Sequence, residues 1–522
     1  MLVIIGVAFF NAFILASSLA QTSDSVQGFV VGHAIANGNP LLTGWHFPID
    51  SYYFIDSMFY AAAEWIAGAN PKLIAFVPAV VYTALVLLAC IVCISPAQPF
   101  GKNVGPLAVI ALLLAAPVWI GRWNPMLMSD MHAGTVLAAL GALVLYARVA
   151  SRGIRSPAGR LYAIVAALLV ILTVSSDPFS VVFAFGPAAL FFSFDWLRGG
   201  RQRNVILALA LLVASVIVGF MLPSAMARIG GFTTENDVAL GFALPSQWLG
   251  NSIAVVTGML TLLGANPLDV DNGRSAINFV IRCITLAIPV AALVMVIRNW
   301  FCRVQAPLLD RMLCAGIVVL FAACVTSAQF AKGVRVETVW HGGPPTRFLV
   351  PAVLFAAVLS GRQIGGVMNF VRDAKRRLIV CGVLVLFAGI TLAVGAWQSF
   401  SNVTRPNWID DSPAISAARW LERHGLSQGV GEYWSANLLT AMSGNAVTVR
   451  SVVPDENRLV PYVWVEARDF YGLPPQFAIW QEPNQTGMTE ALVRATFRVC
   501  RLGNVAGYRI ALLSHDSRSM GC

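Results

Sequence analysis

The sequence predicts a polytopic α-helical membrane protein of about eleven spans carrying a small C-terminal extracytoplasmic α/β domain. Three observations predict it. Of 522 residues, 57% are apolar and only 11% charged, whereas soluble domains carry roughly 25% charged residues. The apolar residues gather into runs of about membrane-spanning length. The last 125 or so residues, by contrast, have the composition of a soluble domain. A net charge of +10 would suggest nucleic acid in a soluble chain, but here its meaning lies in which loops hold the Lys and Arg. No nucleic-acid partner is expected.

The first apolar run, Leu2 to Ala20, reads either as a retained anchor or as a signal peptide cut near "SSLAQT". It lacks a basic flank and is long enough to remain, so the anchor is preferred. Further runs follow at Leu73 to Ile94, Gly105 to Ile120, His132 to Val149, Leu161 to Ser175, Phe179 to Phe194, Asn204 to Leu222, Ile277 to Ile297, Met312 to Phe330, Phe348 to Ser360 and Leu378 to Trp397. One more, Trp248 to Ala265, is a twelfth candidate.

Loop charge decides the threading. Arg148, Arg152, Arg155 and Arg160 share one loop; Arg198, Arg201 and Arg203 another; Arg298, Arg303 and Arg311 a third; Arg362, Arg372, Lys375, Arg376 and Arg377 a fourth. Basic loops face the cytoplasm, and these alternate only if Trp248 to Ala265 does not cross. The N-terminus is then cytoplasmic and the C-terminus extracytoplasmic, in what is expected to be a bacterial inner membrane. The membrane domain is 1–397, with a long first outer loop, 21–72, and an outer segment, 223–276; the C-terminal domain is 398–522.

The first outer loop reads as helical. Asp24 to Asn37 repeats apolar residues at helical spacing, and "DSYYFIDSMFYAAAEWIAG" offers Tyr52, Tyr53, Phe54, Phe59, Tyr60 and Trp65 as an aromatic belt at headgroup depth. Both are expected to lie flat on the membrane, the first with its apolar stripe in lipid or protein. In the tail, "SPAISAARWLERHG" reads as a capped amphipathic helix, followed by strands near Val447 to Val453 and Tyr508 to Leu513 and a helix near Thr489 to Arg498. Cys90 and Cys93 form an isolated C-x-x-C in an apolar run, better read as inert filler than as zinc ligands. Cys500 and Cys522 are placed to form a disulfide if the tail is extracytoplasmic.

Polar residues gather at the predicted outer face. Asp24 follows the first run, Asp56 lies in the first loop, and Asp130 and His132 stand at the entrance of the fourth helix. Asp177 sits in a tight turn, and Lys332, Arg335, His341 and Arg347 precede the tenth helix. An ionised group at a helix centre costs ~2.5–3.5 kcal/mol on insertion scales and less toward the ends, so such residues are functional candidates. Each also has a plainer role: Asp130 or Asp177 as a helix cap, Arg347 as a snorkelling cation, Asp24 as an interfacial flank.

The early outer acid, the long first loop, the "SDM" setting of Asp130, the late "TRFLVP" and the extracytoplasmic tail together resemble the integral-membrane glycosyltransferases of the GT-C superfold. The bacterial branches related to protein mannosyltransferases and aminoarabinose transferases are the most similar in arrangement. The resemblance implies transfer of a sugar from a polyprenyl-phosphate carrier to an extracytoplasmic acceptor, be it lipid, glycan or protein. It implies that Asp24 is the catalytic acid group of the first loop, that Asp130 is the acid of the second, and that Arg347 meets the carrier phosphate. Where many relatives have a second acid beside the first, this chain has Ser25. That puts a paired-carboxylate or metal-dependent version in doubt, although a divalent cation, magnesium or manganese, held by Asp24, Asp130 and His132 is an open alternative.

The chemistry accepts these roles independently. An attacking hydroxyl needs a base, worth ~10²–10⁴ in rate, and partial desolvation makes a carboxylate more basic. Arg347, with Lys332 or Arg335, suits a departing phosphate; His341, His132, Asp177 and Asp56 are the remaining substrate-binding candidates. Two other readings stand beside transfer. A transporter or flippase wants ionisable groups within helices, and only Arg282, Asn11 and Gln329 qualify. A non-catalytic membrane scaffold would use the tail to dock a partner.

Overall fold

The computed structural model describes residues 1–95, 98–117, 123–197, 203–235, 241–267, 273–302, 306–334, 344–371, 373–403, 408–482 and 486–514. His341, Arg335 and Cys522 lie outside these residues. The chain divides into two compact units. One is Met1–Ala16, Pro78–Met221 and Val238–Asn402; the other is Ser17–Val77, Leu222–Asp237 and Val403–Cys522. The 21–72 segment therefore groups with the C-terminal segment.

In the first unit, eight helices among the described residues are long and apolar enough to cross a membrane. The other three expected spans are the helix Leu2–Ser18 and the shorter apolar helices Gly101–Leu114 and Val181–Phe194. The chain is a multi-pass membrane protein. The expected twelfth candidate is a helix, Pro245–Leu263, but it does not rank with the apolar spans. Lipid offers no hydrophobic drive for helices to associate, so close packing must hold them together. A Cβ on Gly316 would come within 2.4 Å of the Phe183 carbonyl oxygen, and one on Gly361 within 2.7 Å of the Cys93 sulfur. Both positions accept only glycine.

Polar groups inside this unit are tied to backbone. Arg282, 2% exposed, donates to the carbonyls of Leu112 (3.0 Å) and Ala116 (2.7 Å), and the Tyr82 hydroxyl donates to Leu114 O at 2.6 Å. These are the last carbonyls of the helix Phe100–Leu114 and its exit, which a helix leaves without internal partners. Asn11 donates to Ala115 O and accepts from Ser399. Two of the three residues that might have served a transport relay, Arg282 and Asn11, thus hold helix ends. Arg362 pairs with buried Asp310, whose other oxygen accepts from Gln363 at 2.7 Å.

The second unit is built around two sheets. A mixed six-stranded sheet contains, from edge to edge, Arg458–Pro461, Thr448–Asp455, Gln428–Glu432, Phe477–Gln481, Tyr508–Leu513 and Val499–Val505. Val430, Val452, Ala478, Trp480 and Ala511 form its apolar core with Met488 and Val493 from outside the strands. The expected helix is Pro413–Arg423, capped by the Ser412 hydroxyl. The strands expected near Val447 and Tyr508 and the helix near Thr489 are present as Thr448–Asp455, Tyr508–Leu513 and Glu490–Thr496. Cys500 is disulfide-bonded; the other described cysteines, Cys90 and Cys93 among them, are free.

A second, three-stranded sheet joins Thr233–Glu235, Trp45–Pro48 and Glu466–Ala467. No pattern in the sequence foretold it, because strands of two to four residues carry too little alternation to read.

The apolar stripe of the first loop, expected to meet lipid or protein, meets protein. The helix Ser23–Ala36 buries Val26, Phe29, Val30, Val31 and Ile35 together with Ser25, Gln27 and Gly28, and packs on the helices Met58–Ala67 and Tyr433–Met442. Gly32 lets it do so, since a Cβ there would lie 2.5 Å from that of Tyr60. Of the expected aromatic belt, Tyr52, Tyr53 and Tyr60 are buried. Tyr53 packs against Phe232, 5.1 Å between centroids, and donates to the Pro40 carbonyl. Only Phe59 and Trp65 are exposed. Tyrosines with bonded hydroxyls belong to a protein core as readily as to a headgroup layer.

Candidate active site

Each unit holds its own set of the expected residues. In the second unit, Asp24 sits in the first turn of Ser23–Ala36, where a negative charge suits the helix dipole. Thr22 is the N-cap. Its amide donates to the Ser25 hydroxyl at 2.9 Å while the Ser25 amide reaches back to the Thr22 hydroxyl, and the Ser25 hydroxyl donates to Gln21 at 2.9 Å. The residue that replaces a second acid is therefore engaged in closing the helix end.

The Asp24 carboxylate, half-buried, accepts a hydrogen bond from the Tyr433 hydroxyl. Tyr433 opens the helix Tyr433–Met442, and its carbonyl accepts from the Ser23 hydroxyl, so residue and partner are fixed at two points. Burial, and then the Asp24 charge, push the Tyr433 phenol well above its ordinary range. It stays protonated and remains a donor. Tyr433 was not legible from sequence. Asp56, by contrast, is 5% exposed within the turn Tyr53–Ser57.

In the first unit, the helices Ala133–Arg152 and Pro157–Ser176 form an antiparallel pair, which sets the start of one beside the end of the other. Asp130 and His132 precede the first and Asp177 follows the second. His132 Nδ1 lies 2.7 Å from Asp177 Oδ2, to which the Thr135 hydroxyl also donates at 2.7 Å; the Phe179 amide donates to Oδ1 at 3.1 Å. His132 is 3% exposed and Asp177 is fully buried. The Asp177 carboxylate is thus held by protein donors and orients His132. Asp130 (φ 57°) and His132 (φ 71°) are both left-handed, a conformation that non-glycine residues adopt at a cost and that concentrates at functional positions.

Arg347 comes to this cluster through its neighbour. The 3-10 segment Pro344–Leu349 carries Phe348 against His132 (5.8 Å) and Phe179 (5.5 Å), and the Arg347 guanidinium lies 5.0 Å from the Phe348 ring centre. Among the described residues, Arg347 Nε has no hydrogen-bond acceptor. Lys332 is exposed at the end of Ala328–Gly333. Asp130, His132, Asp177 and Arg347 are thus gathered in one unit.

Among the described residues no three His, Cys, Asp or Glu side chains form a group able to hold a metal. His132 Nδ1 faces Asp177 Oδ2 at 2.7 Å.

No family model matches the chain, and no curated protein matches it. Solved structures do. The apo crystal structure of ArnT from Cupriavidus metallidurans superposes over 98% of this chain and 97% of its own, with a TM-score of 0.57 at 10% identity. ArnT from the same organism bound to undecaprenyl phosphate covers 99% and 98%, with a TM-score of 0.56 at 11% identity. The fold is GT-C. The GT-C likeness extends through both compact units, so the 21–72 segment and the C-terminal sheet are parts of the shared architecture.

Proposed function

We propose that this chain is a glycosyltransferase of the bacterial inner membrane, with its N-terminus cytoplasmic and C-terminus outside, that moves a sugar from a polyprenyl-phosphate carrier to an extracytoplasmic acceptor hydroxyl. What carries the reading is that the likeness to ArnT, one structure of which is bound to undecaprenyl phosphate, spans nearly the whole of both chains.

The acceptor oxygen attacks the anomeric carbon, the bond from that carbon to the phosphate oxygen breaks, and the electron pair leaves with the polyprenyl phosphate. Asp24 takes the hydroxyl proton, with Tyr433 holding its carboxylate in place. Arg347, whose Nε lacks an acceptor, receives the phosphate through charge-assisted hydrogen bonds. His132, oriented by Asp177 and Thr135, and the adjacent Asp130 complete the polar lining of the membrane unit. Lys332 adds positive charge for the carrier. No step is assigned to a metal.

The test uses purified protein in lipid nanodiscs with a panel of radiolabelled polyprenyl-phosphate hexoses and pentoses. Release or transfer of the label is expected from at least one donor, and Asp24→Asn is expected to slow it by ~10²–10⁴. Absence of turnover across the panel, or an Asp24→Asn variant equal to the parent, overturns the reading.

A further inference from the structure

We infer that Tyr462 and Trp464 form a preorganised stacking platform and that the acceptor lays a carbohydrate ring on it. This rests on the transfer reading for its link to catalysis, but the platform is a feature of the second unit by itself. From Asp24 a line of aromatic rings leads outward. Tyr433 meets Tyr462 edge-on, 5.3 Å between centroids at 89°, and Tyr462 lies parallel to Trp464 within 8°, 6.3 Å apart. Tyr462 and Trp464 are both half-exposed.

The loop that presents them is held in a costly shape. Val465, which follows Trp464, has φ 52° although it is β-branched, and is 1% exposed; such a backbone persists only when its surroundings impose it. Those surroundings are visible. Glu466, 2% exposed, accepts from the Ser451 amide at 2.7 Å and from the Tyr471 hydroxyl. That hydroxyl also lies 2.7 Å from Ser451 O and 3.2 Å from Tyr462 O, and the Tyr462 amide donates to Ser451 O at 2.9 Å. The strand register of Glu466 with His46 ties the same turn to the 21–72 segment. The chain turns Glu466 inward and leaves Tyr462 and Trp464 outward.

The chemistry selects a sugar. A pyranose ring has an apolar face of C–H bonds that suits an aromatic plane and a rim of hydroxyls that suits a carboxylate, and here parallel rings begin one residue contact away from Asp24. An acyl chain would favour aliphatic walls over phenols. An anionic group would need a cation, and Arg450, beneath the loop, uses its guanidinium on Gln428 and on Leu473 O.

The test is saturation-transfer NMR on the full chain in nanodiscs, without donor, using maltotriose and xylotriose as probes and a neutral hexapeptide as control. Saturation is expected on the sugar C–H protons and not on the peptide. Trp464→Ala and Tyr462→Ala are each expected to weaken it roughly ten-fold, and Trp464→Tyr to restore it. No saturation of either trisaccharide, or equal saturation in a Trp464→Ala protein with the parent's melting temperature, overturns the inference. Donor turnover is measured separately, so failure of the transfer reading leaves the binding result standing on its own.

Discussion

The Tyr433 hydroxyl donates to the Asp24 carboxylate across 409 residues of chain. A phenol that burial and a neighbouring charge keep protonated is a permanent donor, so it can hold a carboxylate at one angle through a catalytic cycle. Tyr433→Phe removes that bond while keeping the ring. A charge-assisted hydrogen bond contributes about 1.5–3 kcal/mol, so kcat is expected to fall roughly 10- to 100-fold. The sign for pH follows from the raised phenol: it does not ionise near 10, so the parent's rate profile is expected to show no alkaline limb there from Tyr433. A limb present in the parent and absent in Tyr433→Phe contradicts this.

Glu466 gives the second unit a pH-dependent stability. Burial pushes its carboxyl up to about 7, against stabilising bonds from Ser451 and Tyr471. The folded form therefore holds its proton where the unfolded chain has lost it. Below pH ~4.5 the two states bind the proton alike; between ~4.5 and ~7 stability falls with rising pH, by about 3 kcal/mol in total, and then levels. Hydrogen exchange of residues 448–467 is expected to quicken across that window. Glu466→Gln, neutral at every pH, is expected to flatten the response.

Arg347 is expected to act on donor affinity. Arg347→Ala should raise the donor KM roughly ten-fold or more, and Arg347→Lys should recover only part, because an ammonium lacks the guanidinium's fork. Steady-state kinetics with a single active donor reads both. An unchanged KM in Arg347→Ala removes this residue from the phosphate site.

Asp177 is expected to act through His132. Asp177→Asn leaves Thr135 and the Phe179 amide facing a neutral side chain and takes away the charged acceptor of His132 Nδ1. The expected result is a fall in kcat of about ten-fold or more with donor KM little changed, since the imidazole loses the acceptor that fixes its orientation. A purely structural role would lower the melting temperature and leave kcat in the surviving protein unchanged.

Arg282 is expected to matter for stability and not for turnover. Arg282→Leu orphans the Leu112 and Ala116 carbonyls in a place without water, at about 1–3 kcal/mol each. A lower thermal midpoint with an unaltered kcat in the surviving protein is the expected pair of readings; a lost kcat at an unaltered midpoint points the other way.

How much could be read from the chain alone depended on the length scale of the signal. Spans such as Leu73–Cys93 declare themselves because twenty apolar residues have no soluble explanation, and Pro413–Arg423 because Ser412, Pro413 and Gly425 mark its ends. Asp130, His132, Asp177 and Arg347 were legible as ionisable groups near apolar runs. The Asp177 bond to His132 was not, since it depends on the pairing of two helices. Tyr433, Tyr462 and Trp464 gave no signal because aromatic residues in a soluble tail fit any core. For the helix Ser23–Ala36 the choice between lipid and protein stayed open for a related reason: its apolar residues face protein, and a sequence does not say which apolar surface an apolar residue meets.

The short sheet of Trp45–Pro48, Thr233–Glu235 and Glu466–Ala467 also fixes a timetable. At ~5–20 residues per second of synthesis, the 409 residues between Asp24 and Tyr433 take roughly 20–80 s to emerge. Through that interval the early segment waits without its final strand neighbour, its buried tyrosines bare, and a ribosome that stalls late would release a protein whose membrane helices are in place and whose acid group has no phenol to hold it.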